Sequence, residues 1–282
     1  MQVETSASEG RRGGQLYYRH ALPVRIMHWV NVIALTILLM SGLNIFDAHP
    51  SLYWGKSSYT GRPAILQIGS TSTDSNEIVG KTRILGHEFV TTGWLGASRG
   101  PDGELASRSF PSWLTVPSDR WLAMARQWHL FFAWIFVING ICYLAYSIMS
   151  RHLTRDLAPD GNDLRSIGRS FLDHLRLRHP RGEASKRYNV LQKITYLVVI
   201  FVLLPLVFLM GLAMSPSMDA LMPGWVDLFG GRQSARTIHF IVAWLIVAFV
   251  LIHVFEVIIT GLWNNLRSMI TGNYRVETGE RV

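Results

Sequence analysis

Four of the ten histidines in this 282-residue chain, His28, His129, His239 and His253, lie inside long apolar stretches. Histidine in such surroundings calls for a chemical reason, and neutral imidazole is a good iron ligand. His239 and His253 are fourteen residues apart in a single apolar run. At 3.6 residues per turn they share a helix face, and at 1.5 Å rise they stand roughly 21 Å apart along its axis. That spacing suits one helix holding two haems, one near each surface of a membrane. The other six histidines (His20, His49, His87, His152, His174 and His179) all fall outside the apolar stretches.

The elements that must carry these residues are membrane helices. Apolar residues make up 49% of the chain and concentrate in four runs, Ile26–Phe46, Trp121–Met149, Val190–Met214 and Ile238–Trp263. Each is long enough to cross a hydrocarbon core of about 30 Å. Helix is the conformation that satisfies backbone groups within a segment in lipid. The expected fold is an all-α membrane protein, a four-transmembrane-helix bundle with a long external loop segment and an amphipathic cytoplasmic loop.

The chain divides into a cytoplasmic tail 1–21, helix 22–46, external segment 47–120, helix 121–149, basic cytoplasmic loop 150–189, helix 190–214, external turn 215–235, helix 236–263 and cytoplasmic tail 264–282. Orientation follows from charge. The loop 150–188 carries nine Lys/Arg against five Asp/Glu, whereas segment 47–120 has seven of each. The positive-inside rule therefore places both termini and the basic loop in the cytoplasm. In that loop Leu164, Ile167, Phe171, Leu172 and Leu175 recur at helical spacing, interleaved with Arg165, Arg169 and Arg176. This fits a helix on the membrane surface or one packed on the bundle or a partner. Segment 47–120 is rich in Gly, Ser, Thr and Pro, which predicts irregular structure with short elements. It is too long for a simple link between neighbouring helices. Pro205 predicts a kink in the third helix. Arg11-Arg12 is reminiscent of a twin-arginine signal, but the first apolar run lies well downstream and holds His28, so it reads as a retained span.

Depth pairs the histidines. His28 opens an inside-to-outside helix and His253 ends an outside-to-inside one, so both lie near the inner face. His129 and His239 each fall in the first turns of outside-to-inside helices, near the outer face. One such histidine is most simply a helix-contact hydrogen bond. Four at matched levels, with none left over in the spans, point to two bis-histidine irons, saturated and suited to electron transfer.

Arginine precedes three of the four by three residues, as Arg25, Arg126 and Arg236. That is the same helix face, one turn nearer the membrane surface. Charge-assisted bonds to haem propionates fit there, with snorkelling at a helix end as the simpler alternative. Gly42, fourteen residues after His28, leaves room for a flat porphyrin or for close helix packing. Glu256 follows His253 by one turn within the apolar run, where a charge costs about 2.5–3.5 kcal/mol. It reads as a proton-exchanging group at a quinone site, or as the ion-pair partner of Arg25. Asn31 and Asn139 are further polar contacts for ligand or neighbouring helix.

Several functions are excluded. A single cysteine, Cys142, leaves no disulfide framework, cysteine-ligated iron–sulfur cluster or C-x-x-C-H haem attachment, so any haem is b-type. Neither G-x-G-x-x-G nor a P-loop occurs. The net charge of +8 follows the topological pattern and does not indicate nucleic-acid binding.

Arg25-x-x-His28-Trp29, His129 and His239-x13-His253, with a histidine-free third span, resemble the bacterial b-type cytochromes that include the membrane subunits of nickel–iron hydrogenases, formate dehydrogenase and thiosulfate reductase. The resemblance covers all four spans. It implies two b haems held by His28/His253 and His129/His239, with a quinone near one of them. It also implies an electron-transfer role between the quinone pool and an extracytoplasmic catalytic subunit, with no substrate-activating site in this chain. The long external segment departs from compact family members and suggests a docking surface, by analogy for a molybdopterin-containing subunit. Two other readings stay open at this point. One is a self-sufficient haem-dependent quinone reductase oxidising a small external donor; the other is a haem-free transporter or sensor.

Overall fold

The structure, a computed structural model, describes residues 15–58, 61, 63–168, 170, 172 and 189–276. Four helices are long and apolar enough to cross a membrane: α1 (Leu22–Asp47), α2 (Leu122–Met149), α3 (Val190–Ala213) and α4 (Arg232–Ile259). The class is therefore a largely α membrane protein. Their outward faces are apolar: on α2, Leu130, Phe131, Trp134, Ile138 and Ile141 are all exposed. In a soluble protein such a surface would be a liability; here it faces lipid. The chain forms two compact units, one of Met27–Leu144 with Val198–Val250, the other of Met1–Ile26, Ala145–Leu197 and Leu251–Val282.

Where composition predicts irregular structure in the larger unit, the external segment folds into small antiparallel sheets. Strands β2 (Ser51–Leu52), β3 (Leu66–Ser72), β4 (Ile78–Ile84) and β5 (His87–Val90) pair in that order, and β6 (Ala97–Arg99) pairs with β7 (Leu105–Ser107). Gly96 shows why the segment is glycine-rich. At φ +78° its Cα faces the Gly69 carbonyl, and a Cβ there would stand 2.0 Å from that oxygen. Buried Ile68, Leu52 and Phe110 pack with Leu43 and Phe46 of α1, so the sheet is built onto the end of a membrane helix. Polar contacts fix the junction. Asp47, 4% exposed, pairs with Arg120 at 2.8 Å and accepts the Ser109 amide at 2.5 Å. Asn44 donates to the carbonyls of Pro117 and Asp119, both at 2.7 Å. Thr237 of α4 donates to the Tyr53 carbonyl at 2.8 Å.

Helix α3 is not uniformly α. Val199–Leu203 is a π-helical turn, followed by α-helix from Leu204 with Pro205 in its first turn. Proline lacks an N–H and its ring crowds the carbonyl four residues back, so the ladder loosens there.

In the smaller unit, α4 closes at Ile259 and Gly261 turns the chain at φ +109°, so Trp263 belongs to a separate helix, α5 (Leu262–Thr271). Strand β1 (Gln15–Tyr18) then pairs antiparallel with β8 (Asn273–Val276). Of the basic loop, a short helix Gly161–Arg165 is described, tied to α3 by an Asp163–Lys193 ion pair of 2.7 Å. Leu172 is exposed and Ile167 half-buried, while Arg169, Phe171, Leu175 and Arg176 lie outside the described residues, as does Arg11-Arg12.

Candidate functional site

Within the larger unit, α2 and α4 bring His129 and His239 together, with ring centroids 6.2 Å apart. Two iron–nitrogen bonds of about 2 Å and two ring offsets of about 1.1 Å add to about 6 Å, so one iron fits between the imidazoles.

The hydrogen bonds show which ring nitrogens carry protons. His239 Nδ1 lies 2.8 Å from the Val207 carbonyl, which only accepts, so Nδ1 carries the proton. His129 Nδ1 lies 3.1 Å from the Ser41 hydroxyl. Ser41 gives its own single proton to the Ile37 carbonyl at 2.6 Å, so it accepts from His129. Both rings therefore keep a bare Nε2 lone pair, as in metal sites where the second ring nitrogen donates outward. A b haem fits this donor set. No group of three or more His, Cys, Asp or Glu is placed to hold a metal ion among the described residues.

Two glycines lie against the rings. A Cβ on Gly42 of α1 would stand 3.4 Å from His129 Cε1, and one on Gly211 of α3 would stand 3.6 Å from His239 Cε1. Gly42 thus lies beside the histidine ring, at a position where the sequence suggests room for a porphyrin or close helix packing. Gly211 is not singled out by the sequence; its one signal is a glycine near the end of a long apolar run.

The three arginines divide. Arg236 donates to the Ser51 carbonyl at 2.8 Å and to the His49 carbonyl, and its Cζ lies 5.5 Å from the Phe46 ring centre. It joins the start of α4 to the external segment. Burial, and then the Arg236 charge, hold the His49 imidazole below its ordinary pKa range. Arg25 donates to the Ile270 carbonyl in the last turn of α5, where a cation complements the helix end. Arg126 is exposed on α2.

Asn139, 8% exposed, donates to the Met27 carbonyl and to Asn31 Oδ1, both at 2.8 Å. The two asparagines thus clamp α2 to α1 on either side of His28. His28 is half-buried in the larger unit, with the Trp29 ring edge-on at 5.4 Å. His253 and Glu256, both half-buried, belong to the smaller unit. There the Tyr196 ring of α3, which the sequence reading passes over, meets His253 edge-on at 6.4 Å. The charges of Arg19 and Glu256 reach Tyr196.

The chain is similar to the "Putative protein-methionine-sulfoxide reductase subunit YedZ1" of Azospira oryzae, at 28% identity over 259 residues, covering 92% of this chain and 98% of the relative. No solved structure matches it. A family model described as prokaryotic cytochrome b561 matches residues 19–272, a stretch that takes in all four spans and all four membrane histidines. A haem-binding role in membrane electron transfer goes with that family, and the haem-free transporter or sensor falls away. The chain thus belongs to the prokaryotic cytochrome b561 family, as a bacterial membrane protein that binds b-type haem.

Proposed function

We propose that this protein is a di-haem cytochrome b that carries electrons between the quinone pool and an extracytoplasmic catalytic subunit. The observation that carries the reading is the His129–His239 pair, 6.2 Å apart with both Nδ1 atoms engaged elsewhere. A b haem held by two imidazoles supplies a one-electron iron couple with no open coordination position. In this reading His129 and His239 ligate the outer haem and His28 and His253 the inner one, the second pair resting on sequence depth. Arg236 and Arg126 hold outer propionates, and Arg25 an inner one. Quinone binds beside the inner level, where Glu256 exchanges protons with it and Asn31 offers a polar contact. The N- and C-termini are cytoplasmic, and residues 47–120 form the partner's docking surface.

The relative's name is that of a subunit, which favours a two-component system over a self-sufficient quinone reductase. It also suggests a partner that reduces a sulfoxide, a molybdopterin-containing subunit by family analogy. Sulfoxide reduction consumes two electrons and two protons and releases water, and oxidation of a quinol to a quinone supplies two of each. Electrons then run from the inner face outward.

The test is a reduced-minus-oxidised spectrum of the purified protein with pyridine haemochrome quantitation. Two b haems per chain are expected; one would withdraw one histidine pair, and none in a folded, haem-supplied preparation would overturn the reading. A steric prediction accompanies it. Gly42→Val drives γ-carbons into His129 and lowers haem content toward one per chain. Gly140→Val, at a site where a Cβ meets nothing within 4 Å, leaves haem content unchanged.

A further inference from the structure

Ser41 has no counterpart on the other side of the outer pair. His239 leans on a backbone carbonyl, which no substitution removes, whereas His129 leans on a side chain. Ser41 is fully buried in α1. A helical serine in an apolar run satisfies its own donor by bonding back to the preceding turn, and Ser41 does so, to the carbonyls of Ile37 at 2.6 Å and Leu38 at 3.3 Å. That back-bond fixes the rotamer and turns the oxygen lone pairs toward α2, where the His129 Nδ1 proton is the donor that meets them at 3.1 Å. Gly42, the next residue, lies against the same ring, where a Cβ would stand 3.4 Å from Cε1.

We infer that Ser41 is a positioning residue for His129, and that by accepting the Nδ1 proton it fixes the ring's tautomer and sets the reduction potential of the outer haem. The inference rests on His129 being a haem ligand. An acceptor on Nδ1 gives the imidazole partial imidazolate character and makes Nε2 a stronger donor to iron. A stronger donor favours the ferric state and lowers the potential, hydrogen bonding to a ligand being one of the levers a protein has on haem. Losing the hydroxyl takes away the acceptor that meets the Nδ1 proton at 3.1 Å and weakens Nε2 as a donor. The haem is then retained but its potential rises.

The experiment is a potentiometric titration of the full-length haem-loaded protein, with low-temperature EPR of the ferric haems, on wild type, Ser41→Ala, Ser41→Thr and His129→Ala. Ser41→Ala is expected to shift one haem's potential upward and move its low-spin g-values, leaving the other haem as in wild type. Ser41→Thr, which keeps the hydroxyl, is expected to restore both. Should Ser41→Ala lose the outer haem instead, recovery by threonine supports the inference equally. Unchanged potentials in a Ser41→Ala protein with both haems overturn it, as does a threonine variant that behaves like alanine. His129→Ala separates this from the underlying reading: if it keeps every haem, His129 is not a ligand and that reading is what fails.

Discussion

His253→Ala is expected to yield a folded protein with one b haem per chain instead of two. The substitution takes away one of the two imidazoles proposed for the inner iron and leaves His129 and His239 untouched. The independence of the two sites follows from distance. Fourteen residues of continuous helix separate His253 from His239, roughly 21 Å. Substitutions separated by more than about 7–10 Å, with no shared partners, act additively. The outer site also has its own supports, Ser41, Val207, Gly42 and Gly211, all in the larger unit, whereas His253 packs against Tyr196 in the smaller one. Pyridine haemochrome quantitation gives the count, and a redox titration shows whether the surviving haem keeps its wild-type potential. Equal loss of both haems in a well-folded variant would sink the assignment of histidines to two levels.

Glu256→Gln is expected to slow quinone turnover by about 10²-fold while both haems stay in place, the size of effect that positioned proton transfer supplies. Glutamine keeps the shape and the carbonyl oxygen but exchanges no proton. Glu256 lies one turn beyond His253 on α4, half-buried, in a membrane helix where a carboxyl group without a task is costly. Quinol oxidation releases protons as well as electrons, and a carboxylate beside the inner level is a natural acceptor. The measurement is steady-state quinol oxidation across pH, with haem content checked in the same samples. Identical kinetics for wild type and variant at every pH would rule out the proton role.

The four spans are plain in the sequence because lipid demands about twenty apolar residues in a row, and such runs are hard to disguise. Paired depths for His129 and His239 follow from the same rule, since helical rise converts sequence position into height. What surrounds them does not. Ser41 and Gly211 lie on helices other than those of the rings they touch, and no spacing rule links positions 88 or 28 residues apart in sequence. Arg236 is legible as a basic group one turn before His239, yet its bonds to the His49 and Ser51 carbonyls depend on where the chain goes after α1. The external segment hides its strands because its sheets are short and tightly turned. At Gly96 the composition that reads as loop is in fact what lets backbones touch.

The pairing of Gln15–Tyr18 with Asn273–Val276 joins segments that lie on either side of all four spans in the sequence. During synthesis the first strand emerges before the four spans and the second after them. At about 5–20 residues per second the first waits roughly tens of seconds for its partner. Both ends must also stand on the same membrane face, which an even number of crossings permits and an odd number forbids. The strand pair therefore closes only after the fourth span has been made, and it ties the first span's entry to the fourth span's exit.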